Sequence, residues 1–582
     1  MKKRIISILL CIAMTTAMLA GCQSESDKTT AESSNSETNG DGKYEKFITV
    51  DVYDQLANYQ GIQSGWFAKI VKDKFNMELN IIAPNVAGGG DTLFQTRSAA
   101  GDLGDLIITD TRNGKFKDLV KAGLLMDMTQ LMTDKDVVAN YKEAIDYTNE
   151  MVEDEGMWGF PYEISSQSAD TSSEGLDLTF GPYIRWDLYK EVGYPEISTL
   201  EDLLPVLKEM QDAQPESDTG KKTYAISLFK DWDGNLMNAA KQPTCFYGYD
   251  EVGFVLAKAD GSDYQSIVDS DSMYMRVLKF FFDANQMGIM DPESTTQNFD
   301  TLGTKYEDGQ ILYAPWPWLG QSRYNTQERK EDGKGFMLAA IDDMEIFSFG
   351  CHVKGNTSHV IGIGSKAEDP ERLADFIDWL YSPEGVLANQ SGAAGGPEGL
   401  AWEMVDGRPV RTEFGVSALP TNDVVVPDEW GGGSWKDGVS ALNFNTVSAV
   451  DINPITQAPN NYQMWESVLE ENNTPLDVDW QEHMDASTTL EYLEKNDMVL
   501  VAPGSGYIAP EEDSSTTTLR SQCKETIVDY SWRMIFASSE EEFEALKKDM
   551  QDTVNGLGFE EVLAVDMKNA QDQQSAREAV LK

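Results

Sequence analysis

The sequence predicts an α/β protein in which a mainly parallel sheet carries helices on its faces. Runs that alternate apolar and polar residues, as half-buried strands do, are followed by runs with the 3.6-residue apolar spacing of helices. The chain has 582 residues with 41% hydrophobic content, enough for more than one compact unit around a sizeable core. It contains no repeat of fixed period, no coiled-coil pattern and no internal apolar run long enough to span a membrane.

The N-terminus has the pattern of an export signal. Lys2–Arg4 is positively charged, and Ile5–Leu19 is an uncharged apolar run too short for a spanning helix. The run leads into Ala20–Cys22, which resembles the lipobox of bacterial lipoproteins. This resemblance implies that residues 1–22 are a lipoprotein signal and that Cys22 is lipidated. The alternative is an ordinary secretory signal that contains a cysteine.

A tether and then the folded part follow the signal. Residues 23–44 are rich in Ser, Thr, Glu and Asn and nearly free of apolar side chains, so they predict a flexible tether. Beyond the tether, strand and helix patterns alternate. In chain order we predict a strand at Lys46–Val52, a helix at Trp66–Phe75, a strand at Met77–Pro84, a helix at Asp91–Ala100, a strand at Asp105–Thr109, and helices at Lys115–Ala122, Thr199–Gln211, Asp271–Asn285, Glu371–Tyr381 and along Phe536–Lys582.

The charge of the chain excludes one class of partner. The 46 basic and 98 acidic residues give a net charge of -52, whereas a nucleic-acid-binding protein needs Lys and Arg to neutralise phosphates. The same balance disfavours a strongly anionic ligand, although a local basic pocket could override it. A simpler interpretation is that the acidity keeps an exported protein soluble.

The Cys, His and catalytic motifs predict neither a metal site, nor a cofactor, nor an active site. Three cysteines lie beyond the export signal, an odd number that leaves at least one free thiol, and we expect all three to be small buried side chains: Cys245, Cys351 and Cys523. The three histidines have no acidic or Cys partner at ligand spacing: His352, His359 and His483. The sequence has no nucleophile elbow, no HExxH and no phosphate loop.

Five stretches occur together in the order found in one protein family. They are residues 99–131 (AAGDLGDLIITDTRNGKFKDLVKAGLLMDMTQL), 156–165 (GMWGFPYEIS), 183–210 (YIRWDLYKEVGYPEISTLEDLLPVLKEM), 306–320 (YEDGQILYAPWPWLG) and 359–385 (HVIGIGSKAEDPERLADFIDWLYSPEG). The chain thereby resembles the extracellular solute-binding lipoproteins of carbohydrate ABC importers, family 1, which include maltose-binding-type proteins. Gly104 departs from the pattern, since the family usually has proline there. The length and the C-terminal extension resemble the large Gram-positive oligosaccharide-binding lipoproteins.

The resemblance implies a two-lobed periplasmic-binding-protein type II fold, with a hinge and an interlobe cleft that closes on the ligand. Lobe 1 would hold residues 45–164 and 356–400, and lobe 2 would hold residues 165–355 and 401–582. The implied protein is a monomer held by a lipid anchor at Cys22 on the extracellular face of a Gram-positive type of cell membrane. It would capture an oligosaccharide and pass it to an ABC permease.

The stretch Leu312–Gly320, LYAPWPWLG, contains the first ligand-binding candidates. In maltose-binding relatives a similar turn places its first indole against a pyranose ring, and the matching residue here is Trp316; Trp318 is the second candidate. A sugar ring has an apolar C–H face, which an indole covers with few rotamers to lose. Pro315 and Pro317 restrict the backbone and lower the freedom lost on binding. The alternative is that both indoles pack in the core.

Two groups of candidates follow predicted strands, because ligands of open α/β sheets bind at the carboxyl ends of the strands: Tyr53, Asp54 and Gln55, and Asp110, Thr111 and Arg112. Tyr183 and Arg185 lie in the YIRWD segment, and Trp232 stands where relatives carry a stacking aromatic. Trp158 is a further loop aromatic, and Trp430 and Trp435 flank a glycine triplet, where we expect a wall of the cleft. For the Asp110–Arg112 group the alternative is a capping turn, and for Arg185 it is an ion pair with Asp187. We interpret DWDGN around Trp232 as a turn and not as a calcium loop.

The resulting hypothesis is a non-enzymatic oligosaccharide-binding protein, and three alternatives remain open. A binding protein for a non-sugar solute such as a peptide would have the same fold. A surface enzyme acting on glycosides would need two facing carboxylates, which an acidic chain can contain by chance. A structural wall adhesin is the third alternative. The sugar, its chain length and its linkage do not follow from the sequence.

Overall fold

The computed structural model describes residues 43–84, 86, 90–389, 394–420, 423–471 and 473–582. The predicted export signal, the lipidation of Cys22 and nearly all of the predicted tether lie outside these residues. Within them, no helix combines the length and the apolar character that crossing a membrane requires.

The strands are β1 Ile48–Asp54, β2 Gly61–Ile62, β3 Met77–Ile82, β4 Leu106–Asp110, β5 Phe160–Tyr162, β6 Tyr183–Arg185, β7 Tyr249–Val252, β8 Val255–Lys258, β9 Tyr264–Ser266, β10 Tyr313–Ala314, β11 Phe336–Leu338, β12 Ile346–Phe349, β13 Asn356–Ile363, β14 Trp402–Val405, β15 Arg408–Arg411, β16 Ile452–Asn453, β17 Ala458–Pro459 and β18 Val499–Ala502.

The α-helices are α1 Gly65–Phe75, α2 Gly90–Ala99, α3 Lys115–Lys121, α4 Thr129–Met132, α5 Asp136–Glu150, α6 Trp186–Glu191, α7 Leu203–Ala213, α8 Asn238–Lys241, α9 Met273–Gln286, α10 Phe299–Glu307, α11 Pro317–Tyr324, α12 Gln327–Glu331, α13 Pro370–Leu380, α14 Pro383–Asn389, α15 Glu413–Ala418, α16 Trp435–Gly438, α17 Glu466–Leu469, α18 Pro475–Met484, α19 Thr489–Lys495, α20 Ser514–Ile535, α21 Glu540–Leu557 and α22 Phe559–Val580. The predicted elements are confirmed to within a few residues at their ends.

The largest sheet has the strand order β2-β3-β1-β4-β13-β5. Its centre is parallel, because β1 runs parallel to both β3 and β4, with Val52 opposite Leu106 and Val50 opposite Leu79. The edges are antiparallel: β13 runs against β4 and β5, and β2 runs against β3. The sheet is therefore mixed, which differs from the predicted mainly parallel arrangement, because β13 arrives from a distant part of the chain in the opposite direction.

Helix α1 illustrates how the sequence specifies these elements. Trp66, Phe67, Val71 and Phe75 recur at helical spacing, and all four are buried against the sheet. The helix ends at Asn76, whose left-handed backbone (φ 47°) turns its N–H back to the carbonyl of Lys72.

Two large hydrophobic cores divide the molecule into two units. The first unit comprises residues 43–164 and 356–468, with apolar side chains packed on both faces of the largest sheet. The second unit comprises residues 178–347 and 474–582, with β10-β6-β11 and the β12-β18 pair at its centre. Helices α20, α21 and α22 pack together and cover this unit beside α9 and β8. The fold is thus the two-lobed α/β arrangement that the sequence led us to expect.

The boundary of the units differs from the expected one, which placed everything after residue 400 in lobe 2. Residues 401–468 instead pack into the core of the first unit. Trp435 stacks on Trp66 of α1, with ring centroids 4.8 Å apart and planes at 17°. Trp402 packs edge-on against Trp465 at 5.6 Å. These large rings lose most of their contact with water on the first unit, which explains why the segment folds there.

The chain crosses between the units three times. Residues 165–172 lead from the first unit to the second, residues 350–355 return, and the chain crosses again between Val468 and Leu476. The first two crossing segments bond to one another. The Ser165 N–H donates to the His352 carbonyl at 2.9 Å, and the Cys351 N–H donates to the Thr171 carbonyl at 2.9 Å. Asp451 accepts from the Ser165 hydroxyl at 2.5 Å. The predicted buried thiols Cys245, Cys351 and Cys523 are buried and free.

Candidate functional site

The second unit presents an exposed aromatic surface, which we call the tryptophan platform and define as Trp232, Phe299, Trp316 and Trp318. Trp316 is the N-cap of α11, and Pro317 occupies the first helical turn, where a missing N–H costs nothing. This geometry stacks the two indoles of the PWPW run, with centroids 4.7 Å apart and planes at 20°. Trp318 is the outer ring, 38% exposed.

Trp316 is the inner ring of this stack and is only 5% exposed. Its Nε1 donates to Oε1 of Gln242 at 3.2 Å. The ring also lines a small cavity together with Phe229 and Tyr313. The expectation that Trp316 is the exposed ring is therefore corrected: the structure exposes Trp318 and makes Trp316 its support. Trp316 lies closer to the buried strand β10, as the N-cap residue of α11, while Trp318 is in the first turn of that helix.

Trp232 completes the platform on a second loop and is 45% exposed. Its ring lies 4.5 Å from that of Phe299, at 31°, and 5.9 Å from that of Trp318. The turn that carries it is fixed by its own carboxylates: Asp231 accepts from the Phe299 N–H at 2.9 Å, and Asp233 accepts from Nε1 of Trp532 at 2.7 Å. The DWDGN run thus uses these two acids in structural hydrogen bonds.

The first unit presents a polar edge where β1 and β4 end. Oε1 of Gln55 accepts from the Thr109 hydroxyl at 2.7 Å and from the Asp110 N–H at 2.9 Å, which locks the two loops together. Asp110 pairs with Lys115 at 2.9 Å. Arg112 lies 3.8 Å from the same carboxylate and its side chain is 70% exposed. The group around Asp110 therefore combines ion pairs with an accessible guanidinium group, and the side chains of the turn make no capping hydrogen bond to the helices that follow.

Two neighbours of these residues are buried, which corrects their assignment as accessible ligand contacts. Tyr53 is fully buried, with its ring 6.1 Å from that of Phe94. Thr111 is buried and donates to the Thr357 carbonyl at 2.5 Å.

Asp54 is also buried, but one oxygen of its carboxyl is not used by the protein. Oδ1 accepts from the backbone N–H groups of Leu56 and Ala57 at 2.8 and 3.1 Å. Oδ2 has no hydrogen-bond partner among the described residues. Burial raises the pKa of Asp54 well above its usual range, which favours the neutral acid.

Sequence reasoning missed a second polar group on the same edge, formed by β5 and β13. The antiparallel register brings His359 opposite Asp110, and the ring of Tyr162 lies 6.0 Å from that of His359. Burial, together with Arg112 nearby, lowers the pKa of His359 to about 4, so the ring is neutral at pH 7. The signal in the sequence was weak, because only the antiparallel return of β13 brings this distant segment to the edge.

Glu163 directly follows β5 in this group and has an unusual backbone. Its φ is 46°, a left-handed conformation that is rare for Glu. Its N–H donates to the Asn445 carbonyl at 2.8 Å, and Nδ2 of Asn356 donates to its carboxylate at 3.4 Å. Burial raises the pKa of Glu163. These contacts tie the start of the first crossing segment to the return strand.

The remaining candidates lie in packed regions or at their margins. Tyr183 is fully buried and donates to the Leu178 carbonyl at 3.0 Å. Arg185 is fully buried and makes the ion pair weighed as its alternative, with Nε and Nη2 2.9 and 2.6 Å from the carboxylate of Asp187. Trp435 is in the core of the first unit, which corrects its assignment to a cleft wall.

Two further loop aromatics are only partly buried. Trp158 and Trp430 pack at the edges of the first unit's cores. Among the described residues, no group of three or more His, Cys, Asp or Glu side chains is arranged to hold a metal ion.

Comparison with known proteins identifies the fold. No protein-family model matches the sequence, and no curated protein sequence matches it. Among solved structures, the alginate-binding protein AlgQ2, in a crystal structure without calcium ion, superposes with a TM-score of 0.55 at 14% identity, over 92% of this chain and 99% of that chain. The ABC-transporter substrate binding protein FusA of S. pneumoniae, in complex with kestose, superposes with a TM-score of 0.53 at 14% identity, over 90% of this chain and 99% of that chain. An HMO-binding, ABC-transporter-associated solute binding protein of Bifidobacterium longum infantis superposes with a TM-score of 0.53 at 13% identity, over 90% of this chain and 98% of that chain. At these identities the likeness establishes a shared two-lobed fold.

Proposed function

We propose that this chain is the extracellular, lipid-anchored solute-binding component of an ABC importer, and that it captures an oligosaccharide between its two units. The tryptophan platform is the observation that carries this proposal. Trp232 and Trp318 expose large flat faces on a surface that is otherwise strongly acidic, and exposed rings of this kind mark binding sites in soluble proteins.

The platform suits a sugar because its rings are already fixed. Trp318 rests on Trp316, and Trp232 rests on Phe299, so little side-chain entropy is lost when a pyranose or furanose ring stacks on them. Such rings have an apolar C–H face and a polar rim. The polar edge of the first unit supplies hydrogen-bonding groups for that rim, including Asp110.

The two-unit architecture supports capture by closure. The crossing segments are short, and the segments 165–172 and 350–355 bond to one another, which fits a hinge about which the units rotate. The solved proteins that share the fold are solute-binding or substrate-binding proteins by name, which supports a binding role and an ABC permease as partner. We extend the proposal to a monomer anchored at Cys22 through its predicted lipobox.

A ligand-dependent thermal shift against neutral glycans, uronate glycans and short peptides tests the proposal. Ligand at a hundred times its Kd stabilises a protein by about 2.7 kcal/mol, which raises the melting temperature measurably. We expect a shift with at least one glycan series and none with peptides. Shifts with peptides alone would establish the non-sugar alternative, and release of reducing sugar from a glycan would establish the enzyme alternative. Replacing Cys22 with Ser should move the exported protein from the membrane to the medium.

A further inference from the structure

Phe349, the last residue of β12, is an exposed ring that the tryptophan platform does not include. It is 38% exposed, the same fraction as Trp318. The parallel partner strand β18 ends beside it at Ala502, and the crossing segment 350–355 begins immediately after it. The ring therefore lies on the second unit at the point where the two units join.

The backbone and ring of Phe349 are held in place. Its N–H donates to a carboxylate oxygen of Glu174 at 3.0 Å, and its carbonyl accepts from the Ser173 N–H at 2.8 Å. The ring packs on the buried rings of Phe347 and Phe180, at 5.0 and 6.0 Å. The aromatic ring is thus held by two buried rings, and its position is fixed before any ligand arrives.

A continuous set of contacts connects Phe349 to the tryptophan platform. Phe180, beneath Phe349, lies under the ammonium group of Lys241 at 4.8 Å. The next residue, Gln242, accepts the hydrogen bond from Nε1 of Trp316. Helix α8 and the turn after it therefore connect the residues beneath the two aromatic surfaces, which lie within a few side-chain contacts of each other.

We propose that Phe349 is a second stacking position for the same glycan, so that the bound ligand is an oligosaccharide with one unit on the tryptophan platform and another on Phe349. The inference rests on the proposed function and specifies its substrate class by length. In the described part of the chain, the ring contacts of Phe349 are with Phe347 and Phe180 and not with the platform, so the two aromatic surfaces are separate. Glu174 acts as a positioning residue, because it fixes the backbone that carries the ring.

The test measures affinity for glycan series of increasing length in two matched variants. Phe349→Leu keeps an apolar side chain over Phe180 and removes the aromatic face. Phe47→Leu is the control, since Phe47 is 43% exposed and precedes β1 at the opposite end of that strand from the polar edge. The probes are malto-, manno- and fructo-oligosaccharides from disaccharide to hexasaccharide, titrated by calorimetry after the thermal-shift panel has chosen the series.

We expect Phe349→Leu to weaken binding of the longer members about fivefold and to leave the shortest binding member unchanged. Phe47→Leu should change neither. Equal affinity of wild type and Phe349→Leu for every length would overturn the inference while leaving the proposed function intact, provided Trp318→Ala weakens binding. Weakening of all lengths alike by Phe349→Leu would also overturn it, because the ring would then support the platform. Absence of binding to every series by the wild type would overturn both proposals.

Discussion

Trp318 is the exposed ring of the stack and Trp316 the buried ring, so replacing each of them should have a different effect on binding and stability. Replacing Trp318 with Ala removes the outer ring of the stack, which is 38% exposed, and leaves the inner ring in place. The lost stacking on a sugar is worth about 1 kcal/mol, so we expect about a fivefold weaker Kd. Because the ring is partly exposed to solvent, the unfolding free energy should fall by no more than about 1 to 2 kcal/mol.

Replacing Trp316 with Ala should have the opposite balance of effects. This ring is 5% exposed, so its loss leaves a cavity in the second unit beside the small one already lined by Phe229 and Tyr313. Large-to-small changes of buried Trp cost about 3 to 5 kcal/mol. The variant should therefore be clearly less stable in urea unfolding, and it should bind more weakly because Trp318 has lost its support.

Calorimetric titration of the best glycan and urea unfolding of both variants distinguish the two roles, with Phe47→Ala as the exposed-ring control. The reasoning is refuted if Trp318→Ala and Trp232→Ala both bind that glycan with wild-type affinity. It is also refuted if Trp316→Ala unfolds at the same urea concentration as wild type, because a buried ring cannot be removed without cost.

Three further predictions concern stability. Gly253 has φ +63°, and a Cβ there would lie 2.2 Å from a buried carboxylate. Gly193 has φ +90° but open space around it and serves as the control. Gly253→Ala should lower the free energy of unfolding by at least about 2 kcal/mol more than Gly193→Ala, which urea unfolding of both variants measures. Burial lowers the pKa of His352 from 6.5 to about 4. Between these pH values the unfolded chain binds a proton that the native state does not, so the free energy of unfolding decreases as the pH falls through that window. Between about pH 7 and pH 4.5 the unfolding free energy of His352→Gln should therefore decrease by on the order of 2 kcal/mol less than that of wild type. Arg185→Met leaves Asp187 without its bidentate partner and should lower the free energy of unfolding by about 3 kcal/mol. Glycan affinity measured by calorimetry should stay unchanged. Weaker binding by a stably folded variant would show that Arg185 contributes to the ligand site.

Local patterns in the sequence were sufficient to predict most regular elements. Trp66, Phe67, Val71 and Phe75 together form the apolar side of one helix, and an apolar side of that kind must be buried wherever the helix packs. The unit boundary could not be predicted in the same way. Nothing local states that Trp435 stacks on Trp66 rather than on an element of the second unit, because that choice depends on contacts between residues far apart in the chain.

The candidate site was predictable at the level of loops but not of individual side chains. The carboxyl ends of β1 and β4 were identified correctly as an edge, yet adjacent residues there differ in exposure, with Thr111 buried and Arg112 open to solvent. The order of such residues can be read from the sequence, but their burial depends on how the loops pack against the rest of the unit. His359 was missed because its partner on the edge, Asp110, lies on β4, far away in the chain.

The charge around the site argues for a neutral glycan, and this is the last prediction. Four basic side chains near the candidate site are already paired with carboxylates: Lys115 and Arg112 with Asp110, Lys241 with Asp250, and Arg323 with Glu307. A uronate would have to compete for these cations within a chain of net charge -52. A fold shared with an alginate-binding protein therefore does not bring a preference for uronates with it.

We expect neutral oligosaccharides to bind more tightly than uronate oligosaccharides of equal length, and their Kd to be nearly independent of salt, because stacking and neutral hydrogen bonds are weakly screened. Calorimetry at low and high sodium chloride with matched gluco- and glucurono-oligosaccharides measures both quantities. Tighter binding of the uronate, weakening as salt rises, would contradict the argument and would point to Arg112, the most exposed of the four cations, as its partner.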